Sequence, residues 1–478
     1  MRSHRIDTTE AIAALVSGLR FESLPRSVIA RAQDLVLDHL GVALLGSTQP
    51  WAAMVRTIVL RDGGSSESTI YGYGRVPARA AALVNGTAAH SIEFDDTHDE
   101  SLNHPGAVVI PAAMALAEAL DRDGKAFLAA VVAGYEAQCR IGNALGVAVI
   151  ERGFHPTATC GVFGAAAAAA HLLRLDAATT ASAFGTAVSM SSGVMQFSED
   201  PSGTMVKRLH AGLPAERGVL AAQLAAIGFR GPSGAIEGRH GFANVFGGAA
   251  AHSDTAGIFA VTATDNAAGE QFEIERVSVK LYCCCKLFHS LVEAIDECRE
   301  STRFDVTDIV ALEPFGPLAM IDTHMMYRPD STMSAQYSLP YTVAVALMLD
   351  PADLESFEAA ARGRSDLQRL SDLVAPRVDE KLQAAFPRKM AGGIRITLRD
   401  GSIMSRQVVD SRSSPDRLVD AEAVEHKFRT LTARILTPDA QQRIINGVRQ
   451  LDAARPVREL ASLLADIPGA SMAPATPA

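Results

Sequence analysis

No apolar run in this sequence reaches the roughly 18 residues that a bilayer-spanning helix needs, so nothing in it requires a membrane. It also lacks a cationic stripe. Its 44 basic residues are scattered among 54 acidic ones, for a net charge of −10, and a phosphate backbone would find no track to follow; nucleic acid is not an expected partner. The six cysteines (Cys139, Cys160, Cys283, Cys284, Cys285, Cys298) show no CxxC spacing and no disulfide framework, which fits reduced thiols and disfavours structural zinc. Neither the Rossmann nor the Walker glycine pattern occurs, nor HExxH, nor a GxSxG nucleophile elbow. The expectation is therefore an enzyme with no metal and no organic cofactor. The charged stretch Met1 to Thr9 is not followed by the uninterrupted apolar core of a secretory signal, so the expected location is the cytoplasm.

What is present is apolar and small. With 478 residues and 48% hydrophobic content, the chain is too long for one compact core, and two domains are expected. Apolar residues recur at helical spacing from Pro25 to Leu45, where Ile29, Ala32, Val36, Leu40 and Ala43 form one stripe. Ala-rich stripes follow at Val108 to Leu120, Ala126 to Leu145, Cys160 to Leu175, Ala177 to Val194 and Ala215 to Ile227, and small side chains let helices approach closely. The first half thus reads as a packed α-helical domain. Near Phe272 the texture changes: Val277 to Tyr282 alternates like a strand, and Gly393 to Leu398 and Ser402 to Val409 flank an Asp400-Gly401 turn as a hairpin. Helical segments at Ser290 to Arg299 and Pro340 to Met348 lie between them, so the middle reads as smaller and α+β. Helical periodicity returns from Val419 to Leu464, and the Pro/Ala/Ser tail is expected to be disordered.

Chemistry concentrates in four places. The segment from Ala89 to Gly106 carries Glu93, Asp95, Asp96 and Asp99 with His90, His98 and His104. Crowded carboxylates beside an imidazole push pKa values apart, which suits general acid/base work better than a metal cage; taken singly, His98 and Asp99 read as capping or solvated groups, whereas His104 reads as functional. His155 precedes Pro156 at a helix entrance, where free N–H groups and the helix dipole attract an anion. Lys207 and Arg208, followed by His210 and Gly212, suit a dicarboxylate, Lys as a point charge and Arg as a fork. Lys280, Cys285 and His289 add a cation, a thiol and an imidazole at the entry to the second region; consecutive cysteines cannot all face one way, so packing is their default role.

Together these residues resemble the MmgE/PrpD family, which includes 2-methylcitrate dehydratase, cis-aconitate decarboxylase and iminodisuccinate epimerase. The resemblance rests on Val36 to Val42, Asn85-Gly86, His90 to Thr97, His104-Pro105, Gly134-Tyr135-Glu136, Gly153 to Thr157, Lys207 to Gly212, Gly228-Phe229 and Ser338 to Tyr341, and spans nearly the whole chain. It implies a mainly α fold: a large helical domain from residues 1–270 and 412–465, an α+β lid at 271–411, a tail at 466–478, and a homodimer acting without cofactor on a small di- or tricarboxylate. It implies catalytic roles for His104, His155, Lys207, Tyr341 and Glu93 and a substrate-binding role for Thr97, to which Asp95, Arg208, Lys280, His289 and Cys285 are added as binding groups. Glu93 stands where the decarboxylase pattern has Asp, and Cys285 where it has His. The expected activity is therefore dehydration of a hydroxy-polycarboxylate, with epimerisation of an amino- or iminodicarboxylate as the alternative and decarboxylation ranked behind both.

Overall fold

The computed structural model describes residues 8–200, 204–248 and 271–465; the tail expected at 466–478 lies outside them. The fold is mainly α-helical, as the apolar periodicity implies. Long helices form at Arg26–Gly46, Gly106–Ala119, Gly124–Leu145, Pro156–Leu172 and Val206–Ala226, each with a mostly buried face. Alanine makes their packing close: Ala165 to Ala170 are all fully buried. Where the Ala78–Ala89 and Val206–Ala226 helices cross, a Cβ on Gly212 would stand 2.3 Å from the Leu83 carbonyl oxygen, so only glycine fits there. That crossing sets the start of the second helix against the segment following the first.

Buried apolar side chains form two main clusters. The first gathers the N-terminal helices together with Val424, Phe428, Ile444, Val448 and Leu460 from the C-terminal helices. The second surrounds a four-stranded sheet. Ile309–Gly316 pairs antiparallel with Gly392–Leu398 and parallel with Arg377–Val378, while Ile403–Val408 returns antiparallel on the outer edge. The expected hairpin is present, with Gly401 at φ +86° in its turn. The helices His289–Ser301, Leu339–Met348 and Ser365–Asp372 contribute buried residues to the same cluster. Val42, Ile92, Phe94 and Leu431, from the helical part, also belong to it, so the Ala89 to Gly106 segment lies where the two clusters meet.

Several boundaries differ from the sequence reading. Only Val277–Ser278 pairs as a strand, because its partner Thr97–His98 is two residues long; beyond it Cys283 N–H donates to Pro351 O and Cys285 N–H to Gln336 O, which draws the backbone out of the ladder. The Ala177–Val188 helix stops six residues early, before Gly193 at φ +130°. The last Ala-rich helix begins at Val206, nine residues before Ala215, and carries Pro214 in its interior. Among the described residues no helix is long and apolar enough to cross a membrane.

Candidate active site

At the junction of the two clusters the chain brings three cations onto one carboxylate. Glu93, at φ +57°, turns its side chain inward. Lys207 Nζ and Arg208 Nη1 both reach Glu93 Oε1, the second at 2.6 Å, and Lys280 Nζ lies 3.4 Å from Oε2. All four side chains are at most 1% exposed. Consecutive positions at the start of the Val206–Ala226 helix supply Lys207 and Arg208; Lys280 follows the short strand Val277–Ser278. Arg208 is also held by His90 O (3.2 Å) and Gln336 Oε1 (3.2 Å). Burial alone would raise the Glu93 carboxyl, but Lys207, Lys280 and Arg208 outweigh it and hold it well below the usual carboxylate range. Burial brings Lys207 down to about 8 despite Glu93, with Lys280 and Arg208 adding like-charge repulsion. Lys280, pulled by Glu93 and Asp95 against its burial, is raised.

A group of imidazoles adjoins these charges. His90 Nδ1 sits 2.7 Å from Asp95 Oδ2, and His104 Nδ1 lies 2.8 Å from Asp96 O, 3.2 Å from Thr97 Oγ1 and 3.5 Å from Asp95 Oδ2. The ring centroids of His90 and His104 are 5.2 Å apart, and that of His155 lies 5.8 and 6.5 Å from them. His155 sits at the N-cap position of the Pro156–Leu172 helix without a side-chain capping bond, and Pro156 holds the first helical position. His210, one turn beyond Lys207, completes the group, its Nδ1 3.1 Å from His155 Nδ1. Burial drives these rings toward neutrality: His104 and His210 fall to about 3, and His155 falls well below its ordinary value through burial, His210 and Lys207. Asp95, which burial would raise, is instead lowered by His90, His104 and Lys280. The result is a set of neutral proton acceptors beside fixed cations, a setting for taking a proton from a bound anion.

Of the residues singled out from the sequence, Glu93, Asp95, Thr97, His104, His155, Lys207, Arg208 and Lys280 come together here. Cys285 borders the site, its Sγ 3.8 Å from His324 Nε2, and burial raises its thiol to about 11. Two of the expected residues are placed apart from the group. The Tyr341 hydroxyl donates to Ser356 O at 2.9 Å and its ring packs on Phe357, inside the second cluster, because Leu339–Met348 forms a helix that turns this residue into the core. Tyr337, one turn earlier, is the tyrosine that faces Lys207: Lys207 Nζ sits 4.7 Å over its ring, and His324 stacks on it at 5.7 Å. His289 packs against Tyr282 at 5.1 Å, and burial together with Lys286 and Lys280 keeps it well below its ordinary pKa; no ring contact joins it to the imidazole group. Sequence reasoning quoted His90 and His210 within its motifs without giving either a site role, and it left out His324, Gln336 and Tyr337. For His210 a signal existed, its helical spacing from Lys207; for His324 and Gln336 none did.

A model of the MmgE/PrpD N-terminal domain matches residues 10–254, and one of the MmgE/PrpD C-terminal domain matches residues 282–453. The chain belongs to the MmgE/PrpD family. Both family domains border the site: the N-terminal match holds Glu93, His104, His155 and Lys207, the C-terminal match Cys285, His324 and Tyr337, and Lys280 falls between them. Among similar proteins, the cis-aconitate decarboxylase of Aspergillus terreus (strain NIH 2624 / FGSC A1156) is 27% identical over 475 residues, 95% of each chain. The cis-aconitate decarboxylase of Mus musculus is 27% identical over 93% of this chain and 90% of its own, and that of Homo sapiens 27% identical over 95% and 94%. These relatives are decarboxylases by name.

Proposed function

We propose that this protein is a lyase of a small di- or tricarboxylate, and that it works by moving a proton at the carbon next to a carboxylate, dehydrating a hydroxy acid. The observation that carries this reading is the pairing of neutral imidazoles with an excess of fixed cations. Lys207, Arg208 and Lys280 face Glu93 and Asp95, three positive charges against two negative, so an anionic substrate finds net attraction in a low-dielectric setting. Lys207 and Lys280 hold the carboxylate whose α-carbon loses its proton, and their charge stabilises the enolate-like intermediate. His104 and His155 accept and return protons as neutral bases. The intermediate collapses with departure of the hydroxyl, protonated on leaving.

Decarboxylation is the second reading, favoured by the names of the relatives that match along almost the whole chain. Incubation with citrate, 2-methylcitrate, cis-aconitate, malate and iminodisuccinate analogues in deuterated water distinguishes them. Alkene formed without carbon dioxide supports dehydration, and carbon dioxide release supports decarboxylation. Deuterium entering the α-carbon with neither product would make the protein an epimerase and overturn both. The residues named carry the proton transfers by themselves, so turnover is expected to persist after chelation; loss that one divalent ion restores would refute that.

A further inference from the structure

The backbone of His155 is fixed where its helix begins, because its N–H donates to Gly193 O at 3.0 Å. Its side chain ends against a second imidazole rather than a carboxylate. His210 lies three residues after Lys207, hence on the same side of the Val206–Ala226 helix, and the two Nδ1 atoms are 3.1 Å apart. Phe197 packs edge to face on both rings, at 5.4 and 5.5 Å, and a Cβ at Gly193 would fall 3.6 Å from His210 Nε2. His155 is 5% exposed and His210 6%. The pair is therefore held from several sides.

Two ring nitrogens at hydrogen-bond distance keep one proton between them: one ring is the Nδ1–H donor and the other the acceptor. The titratable and charged groups that act on the pair are all basic, Lys207 and His90 on both rings and His104 on His155, and with burial they disfavour a charge on either ring. We propose that His210 is a positioning residue that accepts the Nδ1 proton of His155 and so leaves His155 Nε2 bare as the base. The proposal rests on the reading of His155 as a proton-transfer group. In the step, the substrate C–H bond breaks, its electron pair stays on the substrate as the enolate, and the proton goes to His155 Nε2. The imidazolium so formed keeps its Nδ1–H on His210 Nδ1, and His210 stays neutral. When His155 gives the proton back, to the leaving hydroxyl or to carbon, the pair returns to its starting tautomers. A carboxylate in the place of His210 would stabilise the imidazolium too, but would set a negative charge beside the bound anion.

The test uses the full chain labelled with nitrogen-15, without substrate. In the wild type and in His210→Asn, whose Oδ1 falls near the position of the imidazole Nδ1, His155 is expected as the Nδ1–H tautomer. In His210→Phe, which keeps a ring against Phe197, it is expected as a mixture. A wild-type His155 protonated on Nε2, or a tautomer unchanged in the Phe variant, overturns the proposal. With any acid that the enzyme turns over, His210→Phe should lower kcat about tenfold or more, short of the roughly 10⁴ lost when the orienting carboxylate of a serine-protease triad is neutralised. KM should hold within about twofold and His210→Asn should recover most of the rate; equal losses in both variants, or a loss confined to KM, would make His210 a packing residue. If no acid is turned over, the reading of His155 fails, while the tautomer experiment still decides the pair.

Discussion

Two buried polar clusters flank the short strand Thr97–His98, built from the same residue types and differing in how many imidazole nitrogens are committed. On one side His98 has both: Nδ1 meets Ser101 Oγ at 2.9 Å and Nε2 meets Glu273 Oε2 at 2.9 Å. Glu273 is fixed in turn, its N–H donating to Glu136 Oε1 at 2.7 Å, and Arg140 clasps Glu136 at 2.9 Å. On the other side His104 meets Asp96 O through Nδ1, His90 meets Asp95 through Nδ1 and leaves a buried Nε2 without a partner, and His155 meets His210 through Nδ1. A ring with both nitrogens bonded to the protein cannot exchange a proton with a ligand; a ring with one free can. Commitment of the second nitrogen, rather than the density of His and Asp, is what separates scaffold from candidate chemistry.

The largest test of this comparison sets His155 against His98. His155→Ala is expected to lower turnover by about 10² to 10⁴ while the protein stays folded, the typical worth of general acid/base assistance. His98→Ala is expected to lower stability and to leave turnover per folded molecule unchanged. Steady-state kinetics beside urea unfolding of both variants checks this, and the reverse pattern would place the reacting imidazole on the other side of the strand. Next in size is Glu136→Ala, which strips Arg140 and the Glu273 N–H of a shared buried partner. It should cost about 3–5 kcal/mol, the usual loss when one member of a buried ion pair is removed, with no change in turnover of the folded fraction.

The sequence made the helical half legible because its stripes are long and Ala-rich, and it made the site legible wherever reactive residues are neighbours along the chain: Glu93 to His104 in one segment, Lys207 with Arg208 at one helix start. It failed where tertiary packing decides. Tyr337 and Tyr341 are one turn apart, and only the break at Ser338, whose hydroxyl caps the next helix, sends one toward Lys207 and the other into the core. His324 reaches the site from a turn between short helices, with no periodic pattern to announce it. The short length of the Val277–Ser278 strand likewise depends on its two-residue partner, 181 positions away where Thr97 pairs with Ser278.

Asp96 offers a smaller, pH-dependent contrast with Asp95, its neighbour in sequence. Burial raises Asp96 to about 7, beyond what the Tyr135 hydrogen bond offsets and with Asp38 adding repulsion, whereas Asp95 is lowered. A carboxyl whose folded pKa is raised favours the folded state most below its ordinary value of 3.8, and that contribution is lost as pH rises through about 7. Stability should thus fall with pH across this window by at most one proton, about 1.4 kcal/mol per pH unit. Asp96→Asn keeps an oxygen for Gly106 N–H and places an amide N–H where the Tyr135 hydroxyl, now a donor to Asp96 Oδ2, would have to turn and accept; it should remove that part of the slope. Denaturant midpoints measured from pH 4 to 8 check it; an unchanged slope would mean Asp96 is ionised throughout.

The smallest expected effect separates the two tyrosines. Tyr341→Phe removes one buried hydrogen bond, from the phenol to Ser356 O, and leaves that carbonyl short of a donor; a net loss of about 1 kcal/mol is expected, with turnover unchanged. Tyr337→Phe keeps the ring beneath Lys207 and so preserves the cation–π contact, but it deletes the hydroxyl of the tyrosine that faces the candidate site. Burial holds that phenol well above its ordinary pKa, with Glu93 adding repulsion, so it stays protonated at neutral pH. Its loss should appear in kcat with little change in denaturant midpoint. The opposite result, a tenfold or greater fall in turnover for Tyr341→Phe with Tyr337→Phe silent, would mean that the Leu339–Met348 helix rotates when substrate enters, and that the tyrosine implied by family resemblance is the one that meets it.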